Sequence, residues 1–332
     1  MSQRLTANSG TLAGMGLPGM RPTGWFQVAW SADLDVGDVM ALHYFGEDLV
    51  AFRDLTGVVR VLDAHCRHLG ADLSHGGCVV EGGIQCPLHG WVWSGADGHN
   101  VHIPYEQSPV DDRRVRSWAA TELNECIYIW HGTMQSDPLW PVPDMYQELN
   151  GPVGLHYFRP IGPDEKQFFG GIAVPPQLVV ENTVDVQHYR FVHRVPLSPT
   201  VLAAASNTST WHAKLAFGGG DPVEVWWYGV GLGFKCEDHG DGRQIVSVCP
   251  TPVDDSTIDI FATYWVSEDL DYDVRLAAVK RLLADDIPIW GHQRYQDDPA
   301  LAPSEAEDFR HLREWARGFY PSAQPDLRSV TL

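Results

Sequence analysis

Basic residues are scarce in this chain of 332: 23 Lys and Arg stand against 43 Asp and Glu, a formal net charge of −20. That argues against a nucleic-acid binder, because phosphate contact needs clustered Lys and Arg, and against docking on an anionic membrane surface. No stretch reaches the roughly 18 consecutive apolar residues that a transmembrane helix needs, so no membrane span is expected. Residues 1–23 lack the charged start and apolar core of a signal peptide and read as a flexible, Gly-rich leader. The six cysteines do not form the framework of a small secreted protein, which points to the reducing cytoplasm. No GxGxxG fingerprint follows a strand, so flavin or nicotinamide chemistry is expected on another protein.

The length suggests two domains at roughly 150 residues each. From residue 24 to 134 the chain reads as short strands, WFQVAW, LVAFRD, VVRVLD and CIYIWHG, broken by Gly, Asp and Asn. A Pro- and Asp-containing stretch, 135–144, is the expected linker, and 135–332 forms the second domain. There, LVVENTVDVQHYRFVHRV is expected to be helical around its histidines. STWHAKLAF, VEVWWYGVGLGFKC, RQIVSVCPTPV and TIDIFATYWVS predict one antiparallel sheet. Leu276, Val279 and Leu283 mark a late helix. The fold class is α+β, an all-β domain followed by an antiparallel sheet with helices. Trp226, Trp227 and Tyr228 either line an apolar pocket or fill the sheet core.

HCRHLGA and CPLHGW together spell C-x-H-x17-C-x2-H, through Cys66, His68, Cys86 and His89. Each loop offers one thiolate and one imidazole, with Gly70, Pro87 and Gly90 permitting tight turns. This mixed set fits a Rieske [2Fe–2S] centre, in which two histidines replace two cysteines on one iron. Structural zinc is the rival, but its Cys2His2 sites pair Cys with Cys and His with His. Ala71 and Leu88 stand where the disulfide cysteines of respiratory Rieske proteins would be. Trp91 replaces a hydroxyl that could have bonded a sulfur, which favours a lower potential. Cys78, between the loops, reads as a buried free thiol.

A second constellation follows in Asn182-Thr-Val-Asp185-Val-Gln-His188-Tyr-Arg-Phe-Val-His193. Five steps turn an ideal helix by about 500°, so His188 and His193 can bind one metal only if the helix is distorted or ends between them. Two histidines and one carboxylate make the facial triad of non-heme Fe(II) oxygenases. Asp286 continues the apolar stripe of the late helix and is the candidate carboxylate, with Asp285 as competitor. Pro288 is expected to break that helix. Asn182 is either a polar neighbour of the metal ligands or a helix cap.

CRHLGA, CPLHGW and NTVDVQHYRFVH resemble the Rieske oxygenases, and GWFQVAWSADLDVGDV, DDIPIW and EWARGFY resemble the branch of 3-ketosteroid 9α-hydroxylase oxygenase components and cholesterol 7-desaturases. The resemblance implies a small all-β Rieske domain and a helix-grip catalytic domain. It implies one [2Fe–2S] cluster, one mononuclear Fe(II) held by His188, His193 and Asp286, O2 as co-substrate, and a homotrimer. It gives Asp185 the role of linking the iron ligand His188 to cluster ligand His89 of a neighbouring subunit. Tyr189 and Arg190, between the two histidines, and His292, near Asp286, depart from the family's usual pattern.

The expected function is that of a terminal oxygenase. It draws electrons from a separate NAD(P)H-dependent flavin/iron–sulfur reductase or a ferredoxin. It oxidises, with hydroxylation foremost, a hydrophobic small molecule of polycyclic or steroid-like kind. Desaturation, N-oxidation and oxidative cyclisation use the same iron site. A Rieske electron carrier with an iron-free ligand-binding domain is the non-enzyme alternative.

Overall fold

The computed structural model describes residues 19–110, 112–132, 136–149, 157–218, 222–239 and 242–320. Residues 1–18 and Gln135, parts of the expected leader and linker, lie outside the described residues.

The largest element is a seven-stranded antiparallel sheet: β12 (Lys166–Ile172), β13 (Thr200–Ser206), β14 (Thr210–Ala216), β15 (Val223–Tyr228), β16 (Gly233–Asp238), β17 (Arg243–Pro252) and β18 (Ile258–Val266). Strands β13 to β18 meander in sequence order, and β12 joins the far edge beside β18. Alternation sends successive side chains to opposite faces. In β18, Ile258, Ile260, Ala262, Tyr264 and Val266 face one core, and Phe261 and Trp265 the other. In β18 both faces are covered, so the strand reads as an almost continuous apolar run, whereas β14 and β15 alternate buried and half-buried positions.

One face carries the helices. Helices α1 (Pro176–Glu181) and α2 (His188–Phe191) fill the connection from β12 to β13, and α3 (Tyr272–Trp290) follows β18. Leu276, Val279, Leu283, Asp286 and Trp290 form the buried stripe of α3, as the spacing predicts. Pro288 does not break α3, contrary to expectation, but sits in its last turn. Burial of Trp290 holds that turn in place, and the Gly291 amide closes it on the Ile287 carbonyl at 2.9 Å.

The other face is covered by a three-stranded sheet, β1 (Gly24–Trp30), β11 (Cys126–His131) and β10 (Ala120–Leu123). It joins the two halves: Trp30 Nε1 donates to Thr263 Oγ1 at 2.8 Å and Thr251 Oγ1 donates to the Gln27 carbonyl at 2.6 Å. The linker is packed rather than loose. Trp140 stacks edge-on against Trp130 and Phe319, and its carbonyl accepts from Trp25 Nε1 at 2.6 Å. The last leader residues are tied as well, since the Pro22 carbonyl accepts from His131 Nδ1 and the Thr23 amide donates to the Phe319 carbonyl. Two further four-stranded sheets complete the first half. They are β2 (Val39–Tyr44), β3 (Glu47–Arg53), β4 (Val59–Asp63) and β9 (Ser117–Trp118), and β5 (Cys78–Val80), β6 (Gly83–Gln85), β7 (Val92–Ser94) and β8 (Asn100–His102).

Helix α4 (Ala306–Ala316) is pinned to α1 by a buried bidentate pair. Arg313 Nε and Nη2 donate to Glu181 at 2.9 and 2.8 Å, while Nη1 donates to the Gln296 and Asp297 carbonyls. Removing one partner of such a pair strands a buried charge. Arg313→Met is therefore expected to cost about 3–5 kcal/mol in chemical denaturation, and Arg313→Met/Glu181→Leu to recover much of that loss.

Candidate metal centres

The two Cys–His loops repeat one local design. The Cys66 amide donates to the Ala71 carbonyl and the Gly70 amide to the Cys66 carbonyl; likewise the Cys86 amide donates to Trp91 and the Gly90 amide to Cys86, all at 2.8–3.0 Å. Each loop thus closes on itself through a glycine with positive φ, +79° at Gly70 and +73° at Gly90, a backbone region costly for other residues. The result buries both thiols and directs the imidazoles outward: Cys66 and Cys86 are buried, and His89 is exposed. The His68 and His89 rings lie 4.9 Å apart, and His68 stacks on Trp91 at 4.4 Å. Two inner thiols and two outer imidazoles, gathered by paired loops, suit a cluster with one sulfur-bound and one imidazole-bound iron.

Trp91 is not a sulfur donor, since its Nε1 donates to Tyr105 at 2.7 Å. Trp93, two residues on, does what the sequence did not reveal: its Nε1 points at Cys66 Sγ from 3.2 Å. Burial pushes the Cys66 thiol up, against the Trp93 indole and the His68 amide, which favour the thiolate. Cys78 is exposed, not buried, with its thiol 3.5 Å from Gln85 Oε1, because the short strand β5 turns it outward.

At the second site the helix ends between the two histidines, one of the two arrangements that would let both bind one metal. Helix α2 ends at Phe191, and Arg194 takes a positive φ of 58°. His193 therefore folds back toward His188, with the rings 5.0 Å apart and nearly perpendicular. Asp286 comes from α3, and its Oδ1 lies 3.4 Å from His193 Nε2. Donor atoms of His188, His193 and Asp286 all fall within 4.8 Å of one another, and all three residues are buried. Asp285 stays outside this set, more exposed and within 3.8 Å of Arg281.

Four observations fit a cation here. His188 Nδ1 bonds the Asp185 main-chain carbonyl, which fixes the tautomer and leaves the Nε2 lone pair facing the centre. The Asn182 amide nitrogen is 3.3 Å from both His188 Nε2 and Asp286 Oδ2, bridging lone pairs that a metal would otherwise take. Burial drives His188 down to about 4, and burial with the neighbouring imidazole does the same to His193, so both are neutral at pH 7. Burial raises the Asp286 carboxyl to about 7, a penalty that a bound cation would relieve. The Asp185 carboxylate accepts from the His188 main-chain amide at 3.3 Å, so in this chain the residue's main-chain carbonyl, not its carboxylate, meets the imidazole. His292 is exposed, bonds the Pro288 carbonyl and takes no part.

The donor set separates two cavities. An apolar one of about 120 Å³ is walled by Val179, Val225, Trp227, Val279 and Leu283. A polar one of about 310 Å³ reaches Asp185, Gln293 and Arg294. Strand alternation settles the aromatic run: Trp227 faces the apolar cavity, with its Nε1 held by Thr183 Oγ1 at 2.9 Å, while Trp226 and Tyr228 pack into the opposite core. A donor to the sulfur of a cluster ligand stabilises the reduced cluster. Trp93→Phe is expected to lower the cluster's reduction potential in spectroelectrochemical titration, with the visible cluster spectrum retained.

Residues 24–119 match the Rieske [2Fe–2S] domain family, and residues 129–320 match the 3-ketosteroid 9α-hydroxylase C-terminal domain family. Cholesterol 7-desaturase nvd of Xenopus laevis is 27% identical over 94% of this chain and 74% of its own length. The Drosophila melanogaster cholesterol 7-desaturase nvd is 32% identical over 54% of this chain. The oxygenase component of 3-ketosteroid-9-alpha-monooxygenase from Rhodococcus rhodochrous is 30% identical over 53%. The matched regions span only 39% and 46% of those two relatives. The fold is that of a variant NdmA from Pseudomonas putida CBB5, at a TM-score of 0.71 and 21% identity over 88% of this chain and 89% of that one. It is also that of dicamba monooxygenase, at 0.61 and 19% over 91% and 98%. The chain belongs to the Rieske oxygenases, in the branch whose catalytic half is the 3-ketosteroid 9α-hydroxylase C-terminal domain.

Proposed function

We propose that this chain is a terminal oxygenase that oxidises, first of all by hydroxylation, an apolar steroid-like small molecule. The observation that carries the reading is the convergence of two neutral buried imidazoles and one buried carboxylate at the head of an apolar cavity. The relatives' names, a cholesterol desaturase and a ketosteroid monooxygenase, support a sterol-like substrate and leave hydroxylation and desaturation as neighbouring outcomes. In this reading Cys66, His68, Cys86 and His89 hold a [2Fe–2S] cluster, and His188, His193 and Asp286 hold Fe(II). When bound, the iron supplies O2 activation and the cluster supplies electrons delivered by a separate reductase or ferredoxin.

The chain's own residues do the rest. The Asp185 carbonyl orients His188, and Asn182 holds Asp286 by a hydrogen bond. Val179, Trp227 and Leu283 exclude water around the reacting carbon. The exposed edge of His89 and the polar cavity at Asp185 suit contact between a cluster loop of one subunit and the iron site of the next, which is the case for a homotrimer. No described helix is long and apolar enough to cross a membrane.

Iron analysis tests this reading: three irons per chain are expected, and two in Asp286→Ala, whereas two in the unaltered chain would favour the electron-carrier alternative. Asp185→Ala keeps the main-chain carbonyl that orients His188 and removes only the carboxylate. It should keep all three irons, and if that carboxylate links the site to His89 of the neighbouring subunit, cluster oxidation should uncouple from product formation, whereas unchanged turnover would remove the linking role.

A further inference from the structure

Among the described residues, one lysine lines the apolar cavity beside the triad, and its surroundings limit what it can bind. Lys235 lies on β16, two residues before Glu237 on the same strand face. Its Nζ is 2.6 Å from Glu237 Oε1, while Glu237 Oε2 accepts from Gln244 Nε2 at 3.3 Å and lies 3.4 Å from His239 Nε2. Burial works against the charge on Lys235, but the Glu237 carboxylate outweighs it and the net shift is upward. Glu237 is held down at about 2, where burial opposes ionisation and the Lys235 charge prevails. The pair is therefore ionised and, taken together, neutral.

An ammonium has three N–H donors, and Glu237 is the polar partner found for this one among the described residues. Its other neighbours are the rings of Tyr189 and Phe217, at 5.8 and 5.7 Å. Lys235 also lines a second, outer cavity of about 440 Å³, which shares Tyr189, Lys235 and Leu282 with the cavity at the triad. The two cavities adjoin at these residues, so a molecule occupying both would lie against Lys235.

We propose that Lys235 is a specificity residue whose spare N–H groups bind a neutral oxygen acceptor, a carbonyl or a hydroxyl, carried by the otherwise apolar substrate at a distance from the carbon that is oxidised. The inference rests on the oxygenase reading for the chemistry at the triad. A pure hydrocarbon filling both cavities would leave those donors desolvated and unpaired. A carboxylate would be drawn to Lys235 but repelled by Glu237 at the same spot. A neutral oxygen satisfies the donors without that repulsion.

The test is equilibrium binding to the full chain with both metal sites loaded and no reductant, followed by tryptophan fluorescence. The probes are 5α-androstane, its 3-ketone and its 3-carboxylate, with decalin, 2-decalone and decalin-2-carboxylate as a smaller series. The ketone is expected to bind most tightly, and the ketone-over-hydrocarbon preference to fall about 10- to 100-fold in Lys235→Met. Glu237→Gln, which keeps an acceptor but removes the compensating negative charge, should shift the preference toward the carboxylate. Equal binding of ketone and hydrocarbon by the unaltered chain, tightest binding of the carboxylate, an undiminished preference in Lys235→Met, or no binding by either series overturns the proposal. The unaltered chain alone decides the first two points if a variant does not fold. Binding needs neither electrons nor O2, so absence of oxidised product would sink the oxygenase reading without changing this result.

Discussion

A carboxylate and two imidazoles are shut away from water between a sheet and a helix, and the architecture around them follows from that. Burial strips the proton from both histidines and pushes one back toward Asp286, leaving lone pairs aimed at a common centre. Such a set is costly unless a cation completes it. The fold supplies each part from a different rigid element: His188 from a short helix, His193 from the turn that ends it, and Asp286 from the buried stripe of α3. The bidentate Arg313–Glu181 pair then holds the end of α1, from which the chain enters the site, against α4.

The cluster loops solve a different problem. Their thiols are buried and their imidazoles face outward, so electrons can enter or leave at an exposed edge while the sulfurs stay dry. Packing of β1 and β11 against the back of the seven-stranded sheet joins the two halves. The candidate iron site lies on the sheet's other face, so no loop of the cluster half needs to enter the substrate cavity.

Much of this was legible in the residues because it is local. Cys–His spacing, the glycines that close each loop and the stripe ending at Asp286 are all short-range patterns. The five-residue gap between His188 and His193 meant that both could face one centre only if the helix was distorted or ended between them, and it ends at Phe191. What was not legible depends on strands far apart in sequence or on a single rotamer. Trp93 reaches Cys66 across 27 positions, and Arg313 reaches Glu181 across 132. No sequence motif marks Lys235; its place at the cavity depends on the pairing of β16 with β15 and β17. Pro288 misled because helix-breaking is a local rule, and burial of Trp290 overrode it. Cys78 misled because free thiols are so often buried, whereas the edge of a three-residue strand left this one outside.

The central claim is that the buried triad is an open iron centre at the head of the apolar cavity. Nitric oxide added to the reduced, metal-loaded chain tests it most directly by electron paramagnetic resonance. The account predicts the high-spin iron–nitrosyl signal of a mononuclear site, reshaped when an apolar ligand fills the cavity and lost in Asp286→Ala. A chain with a loaded cluster and no such signal, or a signal indifferent to both changes, would contradict it.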